Sequence, residues 1–96
     1  MNKSLYPIFA APAWRDAKTN PPKKNGRYLV TKMVFDAPRV KFAYFSTNLK
    51  DLSEFMYRGD QYNRPGWYDG DSEGDWEETN IIGWMPEPEP MKTQGV

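Results

Sequence analysis

Ninety-six residues make one domain, and with 39% hydrophobic but 16% aromatic residues a few large rings must do most of the burying. The chain has neither cysteine nor histidine, which excludes disulfides, thiolate and imidazole metal sites, and any Ser-His-Asp or Cys-His arrangement. Its net charge of zero conceals a split: residues 1–50 carry ten Lys or Arg against Asp16 and Asp36, residues 51–96 carry eleven acids against Arg58, Arg64 and Lys92, so the halves stand at +8 and −8.

Residues 1–13 mix Pro7 and Pro12 with Tyr6, Ile8 and Phe9 and show no period, so they read as an N-terminal arm able to pack those rings on the domain. One lysine without a continuous apolar core gives no secretory signal, and no apolar run approaches the roughly 20 residues that span a bilayer. A cytoplasmic chain is expected. Trp14 precedes a polar loop, residues 18–26, with a turn at Asn25-Gly26. The first strand is expected over residues 27–34, rich in aromatic and β-branched types. Asp36-Ala37-Pro38 interrupts, and residues 39–45 then alternate cleanly, Val40, Phe42 and Tyr44 on one side and Arg39, Lys41, Ala43 and Phe45 on the other. So short a connection makes the two strands antiparallel.

Asn48 is placed to cap a short helix over residues 49–57, with Leu49, Leu52, Phe55 and Met56 at helical spacing and Arg58-Gly59 as its stop. Residues 60–66 read as loop. Short strands are expected at residues 66–68 and 76–79 around an acidic hairpin, and a last strand at residues 80–85. There the chain meets Pro86, Pro88 and Pro90, which cannot donate to a sheet ladder and hold the segment extended. The expected fold is α+β or mainly β: an antiparallel sheet of three to five strands with one short helix. The globular domain covers residues 14–90 and residues 91–96 are a flexible tail. Tyr28, Val30, Val40, Phe42, Tyr44, Ile82 and Trp84 are the expected core face, with Trp67 and Trp76 also inside.

The closing string Trp84-Met85-Pro86-Glu87-Pro88-Glu89-Pro90 resembles the terminus of a family of short phage and prophage proteins of unknown function. The resemblance extends through Trp14, Pro21-Pro22, Tyr28-Leu29-Val30, Val40-Lys41-Phe42-Ala43-Tyr44 and Trp67 or Trp76. Glu87 departs from the apolar residue usual in that string, and residues 49–66 stand where relatives have a short loop. What the resemblance implies is a small accessory protein of a bacterial host's cytoplasm. It supplies no activity.

Three clusters invite chemistry. Asp69, Asp71, Glu73 and Asp75 with two glycines suggest a calcium loop, yet the twelfth position is Asn80 and Glu73 is a carbon too long at the fifth, so a solvated hairpin loop is the ordinary reading. The same acids with Glu77 and Glu78 form a second candidate, an acidic face that steers toward a basic protein surface with aromatics as anchors. The third is cationic: Arg27, Lys32, Arg39 and Lys41 on the first two strands can pair the phosphates of a nucleotide-like anion. Carboxylates without histidine, thiol or nucleophile elbow argue against an enzyme. The sequence therefore points to a non-enzymatic protein without cofactor that binds a host protein stoichiometrically through Asp69, Asp71, Glu73, Asp75, Glu77 and Glu78, with inhibition of a host defence system as its candidate role. The alternative is an anion sequestrant using Arg27, Lys32, Arg39 and Lys41.

Overall fold

The computed structural model describes residues 13–71 and 76–89. The expected arm falls outside them apart from Ala13, as do the tail and, within the acidic loop, Glu73 and Asp75. Six strands form one open antiparallel sheet: β1 (Arg15–Asp16), β2 (Gly26–Val34), β3 (Ala37–Ser46), β4 (Gly66–Tyr68), β5 (Glu77–Glu78) and β6 (Ile81–Pro86), in the spatial order β1-β6-β2-β3-β4-β5. The class is mainly β, with one strand more than the three to five expected. The extra strand is β1, two residues long, which pairs Arg15 with Trp84 and Asp16 with Gly83. Two residues carry no alternation, so only the partner strand reveals it.

β2 and β3 make a long hairpin with Val34 opposite Ala37, so the turn is Phe35-Asp36 and β3 runs on through Ala37 and Pro38, where an interruption was expected. Proline is tolerated there because, among the described residues, β4 pairs with β3 only from Tyr44 to Ser46 and leaves the outer edge at Pro38 without a partner strand. β5 passes into β6 through Thr79 and Asn80 alone, with Asn80 at φ 62, a left-handed conformation that asparagine tolerates. Met33 N donates to Asn80 O at 2.9 Å, which brings the far edge of the sheet back toward β2. The sheet is therefore strongly curled. Its inner side is roofed by residues 17–25: Trp84 Nε1 donates to Asn20 O at 2.7 Å, Tyr28 Oη donates to Lys24 O at 2.8 Å, and Pro22 is buried.

Register decides which residues lie under that roof. Tyr28 faces Ala43, Val30 faces both Lys41 and Trp84, and Phe45 faces Trp67, so the core is Val30, Ala43, Phe45, Trp67 and Trp84, with Tyr28, Ile81 and Ala17 packed against it. Tyr28 meets Trp84 and Trp67 edge to face at 5.0 and 6.0 Å. This corrects the expected core. Val40, Phe42 and Tyr44 occupy the opposite side of the sheet, Val40 61% exposed, while Ala43 beside them is 1% exposed. Alternation identified the two sides of β3 correctly but could not rank them, because Lys41 reads as a wet-face residue until its buried partner is known. Ile82 is the extra residue of a β-bulge where the β2–β6 register shifts between Thr31 and Lys32, and Trp76 is exposed with the Arg58 guanidinium 5.3 Å from its ring centroid.

The expected helix over residues 49–57 is replaced by a single 3-10 turn, Leu49–Asp51, and a second one at Asp60–Tyr62. Asn48 caps the first as anticipated, its side chain accepting from Lys50 N at 3.0 Å. Leu52 is extended at ψ 135 and ends it. So short a segment recovers little of the cost of helix nucleation by itself, and the looped path buries both Leu49 and Phe55 completely. Phe55 packs on Tyr62 and Tyr68 with centroids at 5.1 and 6.3 Å. A side chain at Gly66 would begin 2.5 Å from Leu49 Cδ1, so glycine is what lets the loop close on β4. This small second cluster covers the outer side of the sheet only at its β3–β4 end.

Candidate functional site

Glu78 is where the two charged halves of the chain meet. Its position on β5 opposite Trp67 aims it under the roof, where Lys32 of β2 and Lys41 of β3 also point. Lys32 Nζ donates to Glu78 Oε1 at 2.6 Å and Lys41 Nζ donates to Glu78 Oε2. Burial pushes this carboxyl up, but the two ammonium hydrogen bonds outweigh it and hold the group below its ordinary value. The carboxylate is consequently ionised with both oxygens occupied. A general acid or base serving near neutral pH needs the opposite shift and a free oxygen.

Beside the triad lies a cleft of about 630 Å³, floored by Phe45, Trp67 and Ile81 and edged by Asp16, Arg64 and Glu77. Its volume suits a small ligand. Three of the rim charges are engaged: Arg64 Nη2 stands 2.9 Å from Glu77 Oε2, and Asp16 Oδ1 accepts from Lys18 N and Thr19 N at 2.8 and 2.9 Å, while Lys18 also lines the cleft. Those amides, Thr19's foremost, hold Asp16 below the ordinary carboxylate range.

Of the six candidate acids, Asp69, Asp71, Glu77 and Glu78 lie among the described residues. Glu77 and Glu78 are paired as above, Asp69 Oδ1 accepts from Asp71 N at 3.1 Å, and Asp71 Oδ1 accepts from Tyr44 Oη at 3.1 Å. That last bond, with the adjacent negative charge, raises the Tyr44 hydroxyl's pKa. Glu73 and Asp75 lie outside the described residues. The alternative cations divide between the two sides of the sheet. Lys32, Arg39 and Lys41 share the inner side, and the first and last of these are held by Glu78. Arg27 lies on the outer side, its guanidinium 4.1 Å from the Phe42 ring centroid and its Nε 3.9 Å from Glu87 Oε1.

What the outer side does present is apolar and aromatic. Leu29, Phe42 and Met85 are half-buried on adjacent strands, Val40 stands beyond them, and Arg27 stacks over Phe42. Tyr44 stacks on Tyr68 at 5.5 Å. Trp14 lies at the β1–β6 end, its Cε3 3.8 Å from where a side chain at Gly83 would begin. The sequence contains the signal for this surface, the even-numbered apolar residues of β3, but the same signal reads equally well as core. No family model matches the chain, and no curated protein or solved structure matches it.

Proposed function

We propose that this chain is a stoichiometric protein-binding module and not an enzyme, and that it engages its partner with the outer side of the sheet in place of the acidic face expected from the sequence. The observation that carries this reading is the composition of that surface. Arg27, Phe42, Tyr44 and Met85 are of the types enriched at protein interfaces and lie contiguous with the apolar Leu29 and Val40, with the one cation of the set already stacked on an aromatic ring. Glu77, Glu78, Lys32 and Lys41 are ion-paired within the fold, which favours shape and apolar contact as means of recognition. The terminal string's resemblance to short phage and prophage proteins favours a protein of a bacterial host, a defence component among them, as the partner.

The test is recovery of a partner on the immobilised full chain from host lysate, quantified by mass spectrometry. One protein should be retained near one-to-one and lost when Val40→Lys and Phe42→Ser are combined in a variant that melts as the parent does. Equal recovery by both chains would remove the outer side from recognition. Release of an ultraviolet-absorbing anion on denaturation, with no retained protein, would instead support sequestration.

A further inference from the structure

The β2–β3 hairpin reaches past the strands that flank it. Among the described residues β6 pairs with β2 no further than Lys32, and β4 leaves β3 at Tyr44, so the end of the hairpin stands on its own two strands. At its tip sits Phe35, 96% exposed and at φ 56. With positive φ at the first of the two turn residues and not at Asp36, the loop has the signs of a type II′ turn, a position that ordinarily takes glycine. Positive φ in a bulky residue other than Asn, Asp or Gly is a genuine outlier, and such strain clusters at functional positions. Phe35 thus combines two features that each weaken the fold: a strained backbone, and a large apolar ring given to water with almost nothing to pack on. Neither is explained by folding, and glycine or asparagine would relieve both.

We infer that Phe35 is an anchor residue that inserts into an apolar pocket on a protein partner, an inference that rests on the protein-binding reading of the outer sheet side. Continuity supports it: Met33 and Val40 lead from the tip onto that side. An aromatic ring that enters a desolvated pocket, surrounded by flatter contacts, has the anatomy of an interface hot spot. The neighbouring chemistry selects a protein over other partners. Asp36 adjoins the ring and repels phosphate. Of the nearby cations that a nucleic acid or an anionic bilayer would need, Lys32 and Lys41 are held by Glu78, and Arg39 stands on the inner side, away from the outer surface. One ring whose nearest cations lie on the inner side of the hairpin is also short of what anchors a chain to lipid. A turn of two residues fixes the backbone that carries the ring, so binding has the side chain alone to order there.

The decisive experiment places a photoreactive benzophenone in the full chain, Phe35→p-benzoylphenylalanine, with Val40→p-benzoylphenylalanine on the outer side and Ser53→p-benzoylphenylalanine as an exposed control, each irradiated in host lysate. Position 35 should give one predominant protein adduct, absent from position 53, that maps to an apolar pocket. In parallel, Phe35→Gly should melt at or above the parent temperature while weakening the partner so identified by about 30-fold or more. Adducts at position 40 with none at 35 would overturn the anchor and leave the protein-binding reading intact. Absence of adducts at both would overturn the two together. Adducts from position 35 only to a second copy of the chain, to lipid or to nucleic acid would also overturn the inference, as would a Phe35→Gly chain that melts several degrees lower, because the ring would then be structural.

Discussion

On the inner side of the sheet the buried carboxylate has answering partners and the rings meet edge to face under a roof of backbone. The outer side, built from the alternate residues of the same strands, leaves an aliphatic and aromatic surface open between the β1 end and the small cluster around Phe55. The difference lies in what each side borrows from elsewhere in the chain. Among the described residues the inner side receives residues 17–25 and the β5 carboxylate, and the outer side receives only residues 49–62, over one end. Lys32 and Lys41 are buried in part on the roofed side while Val40 and Phe42, expected in the core, face outward, because Glu78 arrives to pair both ammonium groups and nothing among the described residues arrives to cover the other side there. A buried ion cluster of this kind is weak evidence for stability. Its visible effect here is on register, since a slip of β3 by one residue would put Lys41 outside and leave Glu78 short of a cation.

The largest test of this contrast is Trp84→Ala, which removes the ring that packs on Tyr28 and donates to Asn20 O. It should cost about 3–5 kcal/mol in chemical denaturation, enough to unfold a domain of ordinary stability, and a normal cooperative melt would exclude Trp84 from the core. A paired comparison on one strand comes next. Ala43→Leu overpacks the inner side and should cost about 1–3 kcal/mol, whereas Val40→Lys, three residues earlier on the outer side, should stay within about 0.5 kcal/mol. Equal losses would mean that the two sides are packed alike.

Glu78→Gln sharpens the comparison through pH. The native carboxyl lies below its ordinary value of 4.5, so its contribution is fully present above that value and is lost as pH falls through the lower native one. The parent should therefore lose stability progressively as pH drops below about 4.5, and the variant should show a flatter acid limb, with about 1–2 kcal/mol less stability at neutral pH because the two partly exposed ammonium groups lose the counter-charge and one of them meets an amide NH2 in place of an acceptor. A superimposable pH profile would dissolve the triad. The smallest effect belongs to the outer side. Asp71→Asn should bring the raised Tyr44 hydroxyl back toward its ordinary value of 10.0, followed by ultraviolet titration, with little change in melting temperature.

Much of the sheet was legible in the sequence. The strands of β2, β3, β4, β5 and β6 follow from β-branched and aromatic runs between turn residues, and the Asn48 cap from its side chain alone. The candidate surface was not. Alternation gives two sides without saying which is roofed, and that depends on Asn20 and Glu78, far along the chain from Trp84 and Lys41 respectively. The charge split was equally open: whether the poles stand apart or cancel is a matter of register, and Glu78 settles it for Lys32 and Lys41. Phe35 escaped notice because Asp36-Ala37-Pro38 carries stronger turn chemistry than Phe35-Asp36, and an aromatic residue at positive φ contradicts every local preference.

The spatial order of the strands bears on when the sheet can form as the chain is made. β6, the last strand, lies between β1 and β2, so the first two strands have no contact along the ladder until residues 81–86 have emerged from the ribosome. The β2–β3 hairpin is local and can zip early, but until then it carries an unpaired edge from Tyr28 to Lys32 and an unroofed Val30. At synthesis rates of roughly 5–20 residues per second, the interval between completion of β3 and arrival of β6 lasts on the order of seconds. During that interval the nascent chain displays strand edge and aromatic rings at once, the combination that makes a folding chain prone to aggregate.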